Sequence, residues 1–220
     1  MWLRIEAGLR DEFPELRALA GRIEGVRVEG SSDELERLKA EVMEEVRRTY
    51  RLETVKDHPV FRSYRDFFWR IGIDPTKVRP AAEALIRRIL GGKPLPRINT
   101  LVDAYNLASI RSCISIGAFD EEHIRGELLM RKARAGEEFL GIGMGAPVSL
   151  DGNEIVVSDE EKIIAIYPYR DSEATKVTEE TKNVLFLSCG VPGISAEALE
   201  GALKLTLEYV KRFCGGREEP

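Results

Sequence analysis

The segment from Tyr167 to Thr175 holds a dense group of side chains that could bind or transform a small molecule. It follows an apolar run, Ile163 to Ile166, that predicts a β-strand. Loops that leave strand ends are where a rigid scaffold presents functional groups. The polar and aromatic members of the segment are Tyr167, Tyr169, Arg170, Asp171, Ser172, Glu173 and Thr175. A solvated turn with internal ion pairs would have a similar composition, so the local sequence leaves both interpretations open.

A second candidate is the glycine-rich stretch that contains Gly143 and Gly145. A phosphate-binding loop must follow a strand and open a helix, so that the helix N-terminus faces the phosphate. Pro147 follows instead, and then Asp151-Gly152, which predicts a two-residue hairpin turn. The favoured interpretation is a tight turn, or a backbone that approaches a ligand closely and offers amide donors.

Residues 62–70 combine arginines with aromatic side chains, which can stack on bases and bind phosphates. The apolar members fall at near-helical spacing, which predicts that most of them pack in the core. The RNA-binding candidates in and beyond this segment are Arg62, Arg65 and Arg79. The net charge of −5 restricts such binding to a local basic patch, because binding through phosphates requires a basic face.

The remaining composition excludes several classes of protein. Three cysteines without paired spacing disfavour a disulfide framework or a structural zinc site. Cys189 ends an apolar run and is interpreted as a buried thiol, and His123 as a surface residue. We therefore expect no metal and no cofactor. With 32% charged residues, no apolar run long enough for a membrane and no signal-peptide pattern, we expect a cytoplasmic protein of a thermophile, whose oligomeric state stays open.

The pattern of predicted elements changes at Cys113. Before it, helices are predicted at residues 32–50, 60–71, 80–91 and 99–112, and Ser31 with Glu34 predicts a capping box for the first of them. A strand is predicted within residues 16–28. After Cys113, short apolar runs alternate with turns until a last helix follows Ser195. Helices followed by strands predict an α+β fold rather than a βαβ array.

Three ordered stretches resemble the β chain of phenylalanyl-tRNA synthetase. Residues 98–107 read I-N-T-L-V-D-A-Y-N-L, similar to I-N-N-V-V-D-I-T-N-Y in that family. Residues 115–120 read S-I-G-A-F-D, similar to P-L-H-A-F-D, and residues 177–185 read V-T-E-E-T-K-N-V-L, similar to V-N-D-E-T-Q-N-V-L. The likeness spans about residues 62–193 and falls within the B3/B4 editing domain of the synthetase.

The resemblance implies a layered α+β fold with a β-sandwich of unusual topology, flanked by helices. Residues 1–57 are then a strand-and-helix extension packed on the core, and residues 58–220 are the B3/B4-like domain. In the synthetase this domain hydrolyses tyrosine mischarged onto the phenylalanine tRNA, and the carboxylate that reads the tyrosine hydroxyl aligns with Glu173. Phenylalanine would leave such a buried acceptor unpaired, which explains how the pocket rejects it.

Two departures from the family pattern bear on function. The histidine of P-L-H-A-F-D falls on Gly117, and the glycine-rich loop before the glutamate is replaced by residues 167–172. The resemblance predicts a stand-alone domain that binds the aminoacylated end of tRNA and hydrolyses a mischarged amino acid in trans. The alternatives are a non-catalytic module for tRNA or an amino-acid-like ligand, and a hydrolase of an unrelated small ester or amide.

The expected site residues follow from these two sources. The catalytic candidates are Glu173, Asp171 and Asn99. The substrate-binding candidates are Tyr167, Tyr169, Arg170, Thr175, Gly143, Gly145 and Gly117.

Overall fold

The computed structural model describes residues 3–219, and helices dominate its first half. The α-helices in this range are α1 (Ala7–Glu12), α2 (Asp33–Thr49), α3 (Pro59–Arg70), α4 (Ala81–Leu90), α5 (Thr100–Ser112) and α6 (Ala196–Cys214). The helices predicted between residues 32 and 112, and after Ser195, are therefore confirmed. The predicted capping box at Ser31 is wrong by one residue. Ser32 caps α2, because its hydroxyl accepts a hydrogen bond from the Leu35 amide at 3.2 Å.

The strands form two main sheets and one small pair. They are β1 (Leu3–Ile5), β2 (Arg17–Glu24), β3 (Ser115–Asp120), β4 (Leu128–Lys132), β5 (Glu138–Phe139), β6 (Val148–Ser149), β7 (Ile155–Ser158), β8 (Ile163–Ile166), β9 (Arg170–Asp171), β10 (Asn183–Gly190) and β11 (Arg217–Glu219). One sheet has the order β11-β2-β10-β3 and is antiparallel throughout. The other has the order β1-β4-β7-β8-β9, in which only β1 and β4 are parallel.

The two sheets pack as a sandwich, and helices cover the outer face of the four-stranded sheet. Every residue of β3 is buried, as are all but the first residue of β10, so both faces of these strands are covered. Helix α6 packs on β2 and β10, and α5 packs on α6 and β3. The five-stranded sheet covers the opposite face, with Val157 and Ile164 in the same core as Leu185. The predicted α+β fold with a helix-flanked sandwich is confirmed.

The hairpin predicted at Asp151-Gly152 is wrong, although the turn itself is present. Gly152 has φ +97°, a conformation that glycine adopts readily. The strands on either side belong to different sheets, since β6 pairs with β5 whereas β7 pairs with β4 and β8. The local sequence determines that the chain turns at Gly152. Which strands β6 and β7 pair with depends on strands elsewhere in the chain.

Residues 3–57 contribute to both sheets. Strand β2 lies inside the four-stranded sheet and pairs with β10 along its whole length, from Arg17–Gly190 to Glu24–Asn183. Strand β1 forms an edge of the other sheet, and α2 packs on α4 and α5. A boundary at residue 57 stays a prediction. Within residues 3–219, no helix combines the length and apolar character needed to span a membrane.

Candidate functional site

A cavity of about 140 Å³ lies between the two sheets. Strands β3 and β10 line it from one sheet, β7, β8 and β9 line it from the other, and α5 and the start of α4 complete its wall. Most of the lining is apolar. The lining side chains that carry polar atoms are Tyr105, Asn106, Tyr167, Tyr169, Asp171 and Cys189. A dry cavity of roughly 150 Å³ holds a benzene molecule, so this space suits one amino-acid side chain or a ligand of that size.

The chain between β8 and β9 is fixed from two sides. The Tyr167 hydroxyl lies 2.6 Å from the Gly190 carbonyl oxygen and 3.1 Å from that of Arg17, in the opposite sheet. The ring of Tyr169 packs edge-on against Phe68 of α3, with ring centroids 5.8 Å apart. These contacts bring Tyr167, Tyr169 and Asp171 to the cavity. The first half of the Tyr167–Thr175 segment is therefore not a solvated turn.

The carboxyl group of Asp171 is the one formal charge among the described residues that line the cavity. Its Oδ2 accepts a long hydrogen bond, 3.5 Å, from the Ala118 amide of β3. Burial raises the pKa of Asp171 to about 7, which the Ala118 amide and the Arg170 guanidinium only partly oppose. No lysine or arginine within residues 3–219 forms an ion pair with it. Arg170 is exposed and donates to the Ile142 carbonyl at 3.2 Å.

Gly117 lies against the Phe119 ring and this carboxyl group. A Cβ atom at position 117 would lie 3.1 Å from the Phe119 ring and 3.4 Å from Asp171 Oδ1. The ring and the carboxyl group therefore occupy space that a side chain at 117 would claim. A side chain longer than alanine at this position would compete with the ring and the carboxyl group for the same space.

Sequence reasoning missed two residues of α5 that line the cavity, Tyr105 and Asn106. Within residues 3–219 neither side chain forms a hydrogen bond with another residue. Burial raises the pKa of the Tyr105 hydroxyl, and the nearby Asp171 carboxylate raises it further. The available signal was their place in the resembling stretch, where Tyr105 replaces a threonine of the family pattern and Asn106 matches it.

Behind the cavity wall, Tyr64 connects the two central strands. Its hydroxyl donates to the Cys189 carbonyl and accepts from the Ser115 amide, which is 3.0 Å away. Burial and the Asp171 carboxylate raise the pKa of the Cys189 thiol far above its usual value. A thiol held neutral in this way is a poor nucleophile, which agrees with its interpretation as a buried structural residue.

Six of the predicted site residues do not line this cavity. They are Glu173, Asn99, Arg170, Thr175, Gly143 and Gly145. Glu173 begins a 3₁₀ turn on the surface, where its carboxylate pairs with Lys176. Asn99 is buried and caps α5, since its side chain accepts from the Val102 amide at 2.8 Å.

The glycine-rich stretch forms a tight turn beside β9, as one of its interpretations predicted. Gly143 has φ +78°, and the Met144 amide donates to the Gly141 carbonyl at 3.0 Å. The Ile142 amide donates to the Asp171 carbonyl at 2.9 Å, so the turn supports the backbone that carries the carboxyl group. The Thr175 hydroxyl is fully buried without a hydrogen-bond partner in the described residues.

The arginines considered for RNA binding differ in their surroundings. Arg62 and Arg79 are exposed. Arg65 instead directs its guanidinium to the buried Glu83, 3.1 Å away, and is less available to phosphate. As predicted, Tyr64, Phe67 and Phe68 of the same segment are buried in the core.

A second groove, of about 680 Å³, is larger and more open than the cavity. It lies between β4, β5 and the start of β8. Seven carboxylates and four cationic side chains line it. Three of the cations already pair with carboxylates of the groove: Arg4 with Glu127 at 3.3 Å, Arg131 with Glu137 at 2.8 Å and Lys162 with Asp159 at 2.7 Å. This balance of charge disfavours phosphate binding in the groove.

The fold and the cavity together define an α+β domain in which two sheets enclose a small pocket. The family described as "B3/4 domain" matches residues 63–217, which is well over half of the chain. The chain therefore belongs to the B3/4 domain family, and the resemblance predicted from the sequence is confirmed.

Phenylalanine–tRNA ligase β subunits are similar to this chain. The subunit from Symbiobacterium thermophilum is 28% identical over 141 residues, a match that covers 64% of this chain and 16% of the subunit. That from Xanthomonas axonopodis pv. citri is 32% identical over 117 residues, covering 53% and 14%. The chain thus spans less than a fifth of the length of these relatives.

A solved structure supports the fold. An N-terminal fragment of the phenylalanyl-tRNA synthetase β-subunit from Pyrococcus horikoshii has a TM-score of 0.54 with this chain at 17% identity. The match covers 98% of this chain and 49% of that chain, so it includes the extension before residue 57. At this identity the likeness establishes the fold alone.

Proposed function

We propose that this protein binds the aminoacylated 3′ end of a tRNA, places the amino acid in the cavity between the sheets, and hydrolyses the ester in trans. The observation that carries the proposal is the cavity itself. It has the volume of one amino-acid side chain and a single carboxyl group, Asp171, in a domain of the B3/4 family. Such a role belongs to the cytoplasm.

In this proposal Asp171, rather than Glu173, contacts the polar group of the amino acid. Both carboxylates are close in sequence, but only Asp171 lines the cavity. A ligand that satisfies a buried carboxyl group gains a charge-assisted hydrogen bond, and a ligand that lacks the matching donor leaves the group unpaired. The cavity can therefore discriminate between amino acids of similar size.

The hydrolytic step requires no protein nucleophile. Water adds to the ester carbonyl, the bond to the ribose oxygen breaks, and that oxygen takes up the proton that the water releases. An aminoacyl ester is activated, so correct positioning of water and substrate supplies a large part of the rate. Burial raises the pKa of the Cys189 thiol, which disfavours it as an attacking group.

A non-catalytic binding module is the second candidate, and Gly117 favours it. The family pattern has a histidine at this position, and a glycine provides no side chain to hold water or substrate. Under this alternative the aminoacyl group enters the same cavity and the ester persists.

A deacylation panel tests the two candidates. Several tRNAs, each charged with a different amino acid, are incubated with the native protein, with Asp171→Asn and with Glu173→Gln as the matched control. For one pairing we expect the amino acid to be released at least ~10-fold faster than background. This acceleration should be lost in Asp171→Asn and kept in Glu173→Gln. A factor of ten in rate corresponds to about 1.4 kcal/mol of activation free energy, which one polar contact in the transition state can supply.

Background rates for every pairing would contradict the hydrolase. In that case, retention of charged tRNA by the native protein, weakened by Asp171→Asn, would establish the binding module. Loss of activity in Glu173→Gln with full activity in Asp171→Asn would overturn the assignment of the cavity as the site.

A further inference from the structure

Three polar side chains converge on the cavity without partners of their own. Asp171 has one long hydrogen bond, from the Ala118 amide at 3.5 Å, and no ion pair within residues 3–219. Tyr105 and Asn106 form no side-chain hydrogen bond in the same range, although both line the cavity. All three residues are half-buried where they line the cavity, so their polar atoms are available to a ligand that enters it.

We propose that the cavity binds a primary ammonium group carried on a short apolar skeleton, with Asp171 as its counter-ion. The inference rests on the proposed function, because it names the ligand chemistry of the same cavity. It adds the class of group that the carboxyl recognises, which the family membership of the chain does not supply.

The walls of the cavity suit a cation. Four aromatic side chains line it: Tyr105, Phe119, Tyr167 and Tyr169. Aromatic rings attract an ammonium group through their negative faces, and several rings together with a carboxylate form the type of cage that recognises amines. A volume of about 140 Å³ leaves room for the ammonium and a chain or ring of only a few carbon atoms.

A neutral hydroxyl ligand fits the electrostatics less well. A hydroxyl can donate to the carboxylate, but it brings no opposite charge to this half-buried anion. An ammonium group provides both the donor and the opposite charge, and buried charges in proteins are paired. The geometry around Asp171 therefore favours the charged ligand.

Among the described titratable groups around the cavity, Asp171 is the one whose pKa lies near neutrality. Tyr105 on α5 and Cys189 on β10 face it, and burial raises the pKa of both, so both stay uncharged. Strand β3 contributes the Ala118 amide, and Arg170 lies on the strand of Asp171 itself. Burial likewise raises the pKa of Tyr167 and Tyr169. The carboxyl has a pKa of about 7 and controls the pH dependence of binding.

Matched small ligands test the proposal on the full chain without tRNA. The affinities of n-butylamine and n-butanol are measured by NMR titration at about pH 5.5 and about pH 8.5, a range in which an alkylamine stays protonated. Because only ionised Asp171 pairs with the amine, we expect n-butylamine to bind ~30-fold more tightly at the higher pH, given a carboxyl pKa of about 7. The affinity of n-butanol stays level or falls.

Asp171→Asn keeps the shape of the side chain and removes its charge. In this variant we expect weak, pH-independent binding of n-butylamine, while Glu173→Gln behaves as the native protein. Equal affinity of the native protein for the amine and the alcohol, or an amine affinity that ignores pH, would overturn the proposal. The pH series on the native protein keeps the test valid if the variant folds poorly.

Two further ligands identify the source of the ammonium group. Alanine methyl ester carries only an α-ammonium, and Nα-acetyl-lysine methyl ester carries only a side-chain ammonium. Tight binding of alanine methyl ester indicates recognition of the amino group common to all aminoacyl esters. Tight binding of Nα-acetyl-lysine methyl ester indicates recognition of a basic amino-acid side chain.

The proposed function and this inference can fail separately. Amine binding without deacylation of any tRNA would contradict the hydrolase alone, whereas deacylation without amine binding would contradict this inference alone.

Discussion

Glu83 in the helical layer is a fully buried carboxyl group and Asp171 in the cavity is a half-buried one, and they also differ in their partners. Glu83 is fully buried and accepts from Arg65 at 3.1 Å and from Arg87 at 2.7 Å. Asp103, which is also buried, pairs with Lys39 at 2.8 Å. Asp171 has only the distant Ala118 amide.

The difference separates carboxylates that hold the scaffold from one that is open to a ligand. A buried charge without a counter-ion lowers stability, so an unpaired carboxyl beside a cavity is a strong indication of function. Glu83 and Asp103 in the helical layer each have a cationic partner, so neither carboxylate offers an unpaired charge to a ligand. This contrast predicts opposite responses when the carboxylates are removed.

The largest effect is expected for Glu83→Ala. The substitution leaves Arg65 and Arg87 without their shared partner, and breaking a buried ion pair costs about 3 kcal/mol. Urea unfolding followed by circular dichroism measures this loss. A cost below about 1 kcal/mol, the usual value of a surface pair, would show that Glu83 is not a structural carboxylate.

Asp171→Asn is expected to act in the opposite direction. Its folded-state pKa of about 7 lies above the unfolded value, so the carboxyl contributes stability that is present below about pH 4 and lost as the pH rises through about 7. Removal of the charge should therefore stabilise the protein by roughly 2 kcal/mol near pH 8, after allowance for solvent that reaches the cavity.

The measurement is the free energy of unfolding of both proteins between about pH 4 and pH 8. We expect the two curves to meet at the acidic end and to diverge toward neutrality. A variant less stable than the native protein at about pH 8 would mean that Asp171 has a cationic partner and belongs with Glu83.

Gly117→Ala is expected to have a smaller effect. The added Cβ lies 3.1 Å from the Phe119 ring, which must move by a few tenths of an ångström, and at an ordinary contact distance of 3.4 Å from Asp171 Oδ1. Crowding of this kind costs about 1 kcal/mol of stability and shifts the Phe119 ring, which lines the cavity beside Asp171. We expect roughly a fivefold loss of n-butylamine affinity, equivalent to about 1 kcal/mol.

The matched control is Gly145→Ala, because nothing lies within 4 Å of a Cβ atom at that position. Equal amine affinity in the two variants would show that a side chain at position 117 does not disturb the amine-binding cavity.

The smallest effect is expected for Glu173→Gln. Its ion pair with Lys176 is solvent-exposed, and such pairs contribute about 0.5 kcal/mol or less. Thermal unfolding should be nearly unchanged, and so should ligand affinity. A marked loss of deacylation or binding in this variant would show that Glu173 contributes to the functional site, contrary to its surface position.

The pair Asp171 and Glu173 also shows why the site was only partly predictable. In a continuous strand, residues two apart face the same side, which would place both carboxylates in one pocket. The strand ends at Asp171, and a 3₁₀ turn begins at Glu173 and directs its side chain outward. The local signal is Ser172, whose hydroxyl caps the turn by accepting from the Ala174 amide at 3.1 Å, but the segment alone does not show the pairing of Ser172 with Gly141 that also supports the break.

The sequence by itself determined the features that neighbouring residues control. Helical spacing, the cap at the start of α2 to within one residue, and the turns at glycine are decided over a few positions, and the resembling stretches established the family. Only the tertiary structure decided which carboxyl enters the cavity and that it lacks a counter-ion. The Ala118 amide and Asp171 are 53 residues apart, and Tyr167 and Arg17 are 150 apart. Such contacts depend on how two sheets pack, because burial and pairing depend on everything that surrounds a group in space.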